Sequence, residues 1–323
     1  MTPPRRFARS SLLACALVAL AACAPSRAAR PAAEPTPSTA EPEEIGAGPA
    51  LVEESRVAPA RPDLLGDAAY DLPVVANSWV EAELGFLVSQ RHEVIGRWLE
   101  RADHYEEHVV RVLEEEGVPT DLHHLAMIES GYLPTARSRA GAVGLWQFMP
   151  ATGRQMGLRI DDLVDERMDP VRSTRAAARH LRWLHGYFGG DWALAAAAYN
   201  AGSGRVARSM QRFDAGDFWD LAMRGDLAAE TKHYVPRLYA MTIIGRNRTR
   251  FGFPPRVDAR VVTASAVGGA SSAHFVGAAP ALRTVRGAAG FTFDSIQTDL
   301  ATPFSELARL GDVTAGQLAQ LNP

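Results

Sequence analysis

From about Ser78 onward, apolar residues recur along this chain at helical rather than strand spacing. Ile95, Leu99, Tyr105, Val109 and Val112 fall near one helical face, and Gly117-Val118-Pro119 breaks the pattern. Thr120-Asp121 then offers an N-cap, predicting a helix over Leu122 to about Ser130 that stops at Gly131. A further helix is expected from Gly144 to Gly157, broken or bent near Pro150. Pro170 marks another helix start, followed by Ala177, Leu181, Leu184 and Phe188 at helical spacing. Asp191 can cap a helix through Ala201 that the turn Gly202-Ser203-Gly204 closes, and the last helix runs from about Glu230 to Asn247. Pro236 fits that last helix only near its first turns. Period-two alternation is almost absent between Tyr70 and Arg250, so this block reads as predominantly α.

The flanks differ in character. From Ala24 to about Leu72 the chain is rich in Pro, Ala, Glu and Ser without apolar periodicity, which reads as a disordered tether. Such a tether spans roughly 5–6 Å × √n, several nanometres of reach for the domain behind it. After Phe251 the pattern changes again. Val261-Val262-Thr263 and Phe291 to Gln297 alternate like strands between Gly/Ala/Ser-rich linkers, and Pro303 to Gly311 and Thr314 to Asn322 read as two short helices.

Bulk composition adds little. In 323 residues, one or two domains plus tails, 47% are hydrophobic and 22% charged, both ordinary for a globular protein. The net charge of -3 carries no basic bias toward a nucleic-acid partner. The extreme N-terminus is more informative. Arg5, Arg6 and Arg9 precede a short apolar run, Ser11 to Ala22, too short for a membrane span and suited to a secretory signal. It ends in Leu20-Ala21-Ala22-Cys23, which resembles the lipobox of bacterial lipoproteins. That resemblance implies cleavage before Cys23 and a lipid on its thiol, anchoring the protein to a membrane. Ala24 follows, not the Asp of inner-membrane retention, so the periplasmic face of the outer membrane is expected. The only other cysteine, Cys15, lies within the expected signal and leaves the mature chain no internal disulfide. The expected organisation is therefore signal over residues 1–22, anchor and tether over 23–75, catalytic domain over 76–250, and linker with a small module over 251–323.

Within the helical block, one acid stands out. Glu129 occupies the last turn of its expected helix, where the negative end of the dipole raises a carboxyl pKa and so favours a general acid. Four motifs follow in order: Ile128-Glu129-Ser130-Gly131-Tyr132; Ser138 to Pro150, containing Gly144-Leu145-Trp146-Gln147-Phe148-Met149; Ala198-Tyr199-Asn200-Ala201-Gly202; and Glu230-Thr231-Lys232-His233-Tyr234-Val235. Together they resemble the lytic transglycosylases of the soluble-lytic-transglycosylase (SLT) superfamily, and are most similar to the membrane-bound transglycosylase D branch. The resemblance implies a lysozyme-like, goose-type fold and, as substrate, the glycan strands of peptidoglycan.

It further implies that Glu129 protonates the glycosidic oxygen between N-acetylmuramic acid and N-acetylglucosamine. The same group then takes the proton of the muramoyl C6 hydroxyl, which closes onto C1 as a 1,6-anhydro end. Ordinary glycosidases need two flanking carboxylates; here the nucleophile belongs to the substrate, and one residue reverses its role. By the same resemblance Ser138 bonds the sugar near Glu129, Gln147 reads the N-acetyl group and Met149 lines the cleft. Tyr199 lies against Glu129, fixing and partly desolvating it so that it stays protonated near neutral pH. Asn200 supports Tyr199 or the saccharide, and Glu230 bonds substrate at the far wall. Gly141, Gly144 and Gly202 let backbone approach the glycan. Bland readings stand beside these: Tyr199 and Met149 as core residues, Glu230 as a helix-terminal acid, Asn200 as a turn residue.

His123-His124 reads as a surface pair, since adjacent helical residues point apart and no His-x-x-x-His pairing lies nearby. No metal or cofactor is expected, and protein partners are unknown. The C-terminal helix pair and Leu321-Asn322-Pro323 resemble a partial LysM-like α+β wall-binding module, although that module's entering Tyr-x-Val-x-x-Gly-Asp-Thr-Leu motif is missing. Two other readings remain open: a goose-type lysozyme hydrolysing the same bond, and a non-catalytic wall-binding scaffold. The stretch from Ser138 to Met149 holds no second acid, which favours the non-hydrolytic route.

Overall fold

A computed structural model of the chain describes residues 41–43, 45–49, 62–256, 283–286 and 292–295. Cys23, the expected strand at Val261 and the expected helices after Pro303 lie outside the described residues. The described body is helical: Ser78–Gln90 (α1), His92–Glu115 (α2), His124–Ser130 (α3), Pro150–Gln155 (α4), Pro170–Tyr187 (α5), Trp192–Ala201 (α6), Ser203–Phe213 (α7), Phe218–Arg224 (α8) and Ala229–Arg246 (α9). Arg283–Arg286 (β1) pairs antiparallel with Thr292–Ser295 (β2), the latter within the stretch expected to alternate. Among the described residues no helix is long and apolar enough to cross a membrane.

Local chemistry explains most boundaries. Asn77 caps α1 by accepting from the amides of Trp79 and Val80, and Asp169 caps α5 through Val171 and Arg172 ahead of Pro170. Asp191 caps α6 through Leu194. That helix is buried from Ala193 to Ala198, and its run of alanines lets α5, α7 and α9 pack closely around it. Along α2, Ile95, Trp98, Leu99, Ala102, Val109, Val112 and Leu113 bury one stripe. Pro236 sits well inside α9, beyond the first turns where the sequence pattern tolerates it. The missing proline N–H is outweighed by packing, since α9 is buried along most of its length against α1, α3 and α6.

Three expectations need correction. The chain around Thr120-Asp121 forms a 3-10 turn, Thr120–His123, before α3 begins at His124. Those two residues are recruited elsewhere: Asp71 accepts from the Thr120 amide and hydroxyl, and Asp121 accepts from Arg246 at 2.6 Å. The Gly144–Gly157 helix shrinks to α4. Positive φ values at Gly144 (86°) and Gln147 (46°) break helical geometry, and Val143 bridges Phe148 as in a hairpin. Finally, the turn after α6 is one residue, Gly202, from which α7 continues. Stretches expected to lie in the tether also touch the helices. Glu43 accepts from Arg101 at 2.8 Å and from the Trp98 indole at 3.1 Å, while Ile45 and Leu72 are buried.

The 136–149 hairpin is clasped from beneath by Arg167. This buried guanidinium pairs with Asp165 at 2.7 Å and donates to the carbonyls of Gly141 (3.0 Å) and Phe148 (2.9 Å). Gly144 lies so close that an added Cβ would meet the Arg167 carbonyl oxygen at 1.9 Å. Its glycine is therefore required by this backbone packing. Gly144→Ala is expected to destabilise the fold by about 2 kcal/mol or more, read as a lowered midpoint in thermal unfolding; an unchanged midpoint would mean the clasp yields freely.

Candidate active site

Glu129 stands in the last turn of α3, as its sequence position implied, because Gly131 ends that helix in the left-handed conformation at φ 59°. The Gly131 amide bonds back to Met127 at 2.7 Å, and its carbonyl accepts from Arg101 at 2.6 Å. Next to the acid, Ser130 Oγ lies 3.0 Å from the Ala126 carbonyl and 2.9 Å from that of Leu145, which ties α3 to the hairpin. The helix end and the 136–149 hairpin thus form one unit.

The Glu129 carboxyl receives a hydrogen bond from Tyr234: the phenol donates to Oε1 at 2.5 Å. Burial pushes the Glu129 pKa from 4.5 up to about 7; the Tyr234 bond opposes that rise and the charge of Glu230 adds to it. Burial is thus the first cause of the shift. Burial also pushes the Tyr234 and Tyr199 phenols well above 10, with the charge of Glu129 acting in the same direction. Tyr234 therefore stays a donor at every pH where the carboxyl titrates. What the site offers chemically is a carboxylic acid poised near neutrality beside a phenol that cannot take its proton.

Tyr199 was expected against Glu129. Its hydroxyl instead donates to the Trp146 carbonyl at 2.8 Å, and its ring sits 5.3 Å from His180 and 6.2 Å from Phe148. It is near enough for the Glu129 charge to act on it, but the direct partner is Tyr234. Sequence reasoning missed that residue although it lies within the fourth motif. The available signal was its place four residues after Glu230, on the same helical face.

Asn200 donates to Glu230 at 2.9 Å and accepts from the Thr231 hydroxyl at 2.8 Å, so α6 and the start of α9 share one polar network. Glu230 is exposed. Gln147 donates through Nε2 to the carbonyls of Gly144 (2.8 Å) and Ala136 (3.3 Å). Its amide nitrogen is thus occupied by the hairpin itself. Met149 is 43% exposed beside the buried Phe148. Ser138 Oγ accepts from the Ala142 amide at 3.0 Å, and with Glu41, Pro42, Arg139 and Ala140 it lines a pocket of about 260 Å³. Ser138 belongs to the hairpin tip; Gln147 and Met149 sit at its return.

His123 and His124 are buried, contrary to the surface reading. His123 Nδ1 pairs with the Tyr132 hydroxyl at 3.1 Å and His124 Nδ1 with the Asp121 carbonyl at 2.8 Å. Burial pushes both imidazoles well below 6.5, so they are neutral packing groups. Among the described residues no three His, Cys, Asp or Glu side chains cluster as a metal site.

Residues 113–222 match the family model described as Transglycosylase SLT domain. The chain is 39% identical over 156 residues to membrane-bound lytic murein transglycosylase D of Escherichia coli, covering 47% of this chain and 34% of that protein. It is 30% identical over 124 residues to the soluble lytic murein transglycosylase of the same organism, covering 36% of this chain and 19% of the relative. The aligned part therefore spans about a third or less of these relatives' length. Among solved structures, the 70 kDa soluble lytic transglycosylase from Escherichia coli aligns at 20% identity with a TM-score of 0.42, over 53% of this chain and 33% of that one.

Removing the Tyr234 donor should raise the Glu129 pKa further, because that bond favours the ionised form. Tyr234→Phe is expected to move the carboxyl midpoint upward from about 7, by about one unit, in a carbon-13 NMR titration of the side chain. A downward shift would contradict the assigned role of the phenol.

Proposed function

We propose that this chain, which carries an SLT domain homologous to those of lytic murein transglycosylases, cleaves the β-1,4 bond between N-acetylmuramic acid and N-acetylglucosamine in peptidoglycan. The single observation that carries the reading is the Glu129 carboxyl, with a pKa near 7 and one phenol donor. A group half-protonated near neutrality can give a proton and then accept one.

In the proposed reaction Glu129 protonates the glycosidic oxygen as the C1–O bond breaks and the N-acetylglucosamine side leaves. The muramoyl C6 oxygen then bonds to C1, and its proton passes to the Glu129 carboxylate, which restores the acid. Tyr234 holds the carboxyl throughout and steadies it while ionised. Gln147, with Nε2 committed to the hairpin, would present its carbonyl oxygen to an N-acetyl N–H. Met149 would supply apolar contact to a sugar face, Ser138 would donate its hydroxyl proton to the strand, and Tyr199 would wall the cleft. Asn200 and Glu230 would act as one polar pair toward substrate. Hydrolysis of the same bond would need a second carboxylate to activate water. Glu230, whose charge is felt at Glu129, is exposed and engaged by Asn200, which supports the intramolecular route.

The location follows from the sequence end. A lipid on Cys23 would hold the domain at the periplasmic face of the outer membrane, in keeping with the relative named membrane-bound. The segment 251–323 is proposed as a partial LysM-like wall-binding module.

Glu129→Gln is expected to lower activity on sacculi by about 10²–10⁴-fold or more. Mass spectrometry of the products of the unmodified protein separates the readings: anhydro ends support the proposal, reducing ends replace it with hydrolysis, and unchanged sacculi leave a scaffold. Stability distinguishes lost chemistry from lost fold. Because the folded pKa near 7 exceeds 4.5, stability from this group is fully present below 4.5 and falls as pH rises toward 7. Glu129→Gln removes that loss, so at pH above 7 the variant should melt no lower than the parent.

A further inference from the structure

One face of α5 has no role in the reaction just described. His180, Trp183 and Tyr187 follow one another along that face at three- and four-residue spacing. Their rings are stacked nearly parallel: His180 to Trp183 at 6.2 Å and 26°, Trp183 to Tyr187 at 5.4 Å and 28°. Trp183 is 50% exposed and Tyr187 54%. Scattered apolar residues on a surface need no explanation, but a contiguous row is a patch that marks binding. The other large apolar side chains exposed among the described residues are Val75, Met149, Leu163 and Val171, none of them aromatic.

The row is continuous with the candidate site. His180 lies 5.3 Å from the Tyr199 ring and 6.3 Å from Phe148, the neighbour of Met149. Tyr199 in turn is within electrostatic reach of Glu129. An unbroken run of rings therefore leads from the acid's wall to Tyr187, over about 10 Å of helix between His180 and Tyr187. The run is also neutral. Burial pushes His180 down to about 4, which leaves its ring uncharged. The neighbouring cations face elsewhere, with Arg179 and Arg182 both reaching Glu116 at the end of α2. An uncharged, half-exposed aromatic row suits the apolar faces of pyranose rings better than the carboxylates of stem peptides.

We propose that Trp183 and Tyr187, continued inward by His180 and Tyr199, form a distal sugar-stacking subsite. It grips the glycan strand away from the bond being cut, so KM falls as strand length grows. This rests on the peptidoglycan-cleaving reading above. Neither Trp183 nor Tyr187 touches the reacting atoms; both act by binding.

The test compares the parent with Trp183→Ala, Tyr187→Ala and Trp183→Phe on uncrosslinked glycan strands graded by length. Both alanine variants should raise KM on long strands about tenfold, leave kcat unchanged, and leave cleavage of the shortest cleavable strands as in the parent. Trp183→Phe should restore most of the loss, and thermal midpoints should not move because both side chains are half out of the core. If the alanine variants match the parent at every length while the parent cuts normally, the subsite is overturned and the peptidoglycan reading stands. If they lose short and long strands alike, the row serves general integrity and the proposal is equally overturned. If the parent cuts no strand of any length, the reading of function falls first and takes the subsite with it.

Discussion

A carboxyl group partly withdrawn from water, with a single phenol as its hydrogen-bond donor, is the constraint on which the rest of this structure turns. Carboxylates prefer water by a wide margin, and a helical core that encloses one must hold it neutral or supply donors. Here burial is answered by one hydrogen bond from Tyr234. A second donor would pull the pKa back toward its ordinary value; none at all would push it higher still. The partial answer leaves the acid near 7.

Holding that balance requires two segments far apart in sequence to meet. Glu129 comes from a short helix that Gly131 ends, and Tyr234 from the second turn of α9. Their meeting depends on α9 being buried against α1, α3 and α6, with the alanine run of α6 allowing close approach. On the other side Ser130 and Tyr199 reach the hairpin carbonyls of Leu145 and Trp146, while Arg167 clasps the same hairpin through Gly141 and Phe148. The hairpin has little regular secondary structure to satisfy its own polar backbone, so side chains from α3, α5's approach and α6 do so. The same contacts orient Gln147 and Met149.

Some of this was legible beforehand. Pro170 and Asp191 announce the starts of α5 and α6, the stripe of α2 follows from its spacing, and Gly131 fixes Glu129 in a last turn. The expected helix from Gly144 loses its first turns because positive φ at Gly144 and Gln147 takes the backbone out of helical geometry. His123 and His124 read as a surface pair because neighbouring helical residues point apart, yet each finds a partner inside, Tyr132 and the Asp121 carbonyl. The raised pKa of Glu129 is expected from its helix end and from desolvation by its neighbours, and burial is the first of its causes.

By itself the sequence determined local facts: where several of the helices lie, the glycine that stops α3, and which acid stands at that helix end within a recognisable set of motifs. These depend on neighbours a few residues away, and short-range chemistry is written directly in residue order. Only the tertiary structure decided that Tyr234 rather than Tyr199 donates to Glu129, that Gln147 spends its amide nitrogen on its own hairpin, and that Trp183 and Tyr187 extend the rings beside the site. Each is a contact between segments remote in sequence or a choice of rotamer, and such choices are made by packing.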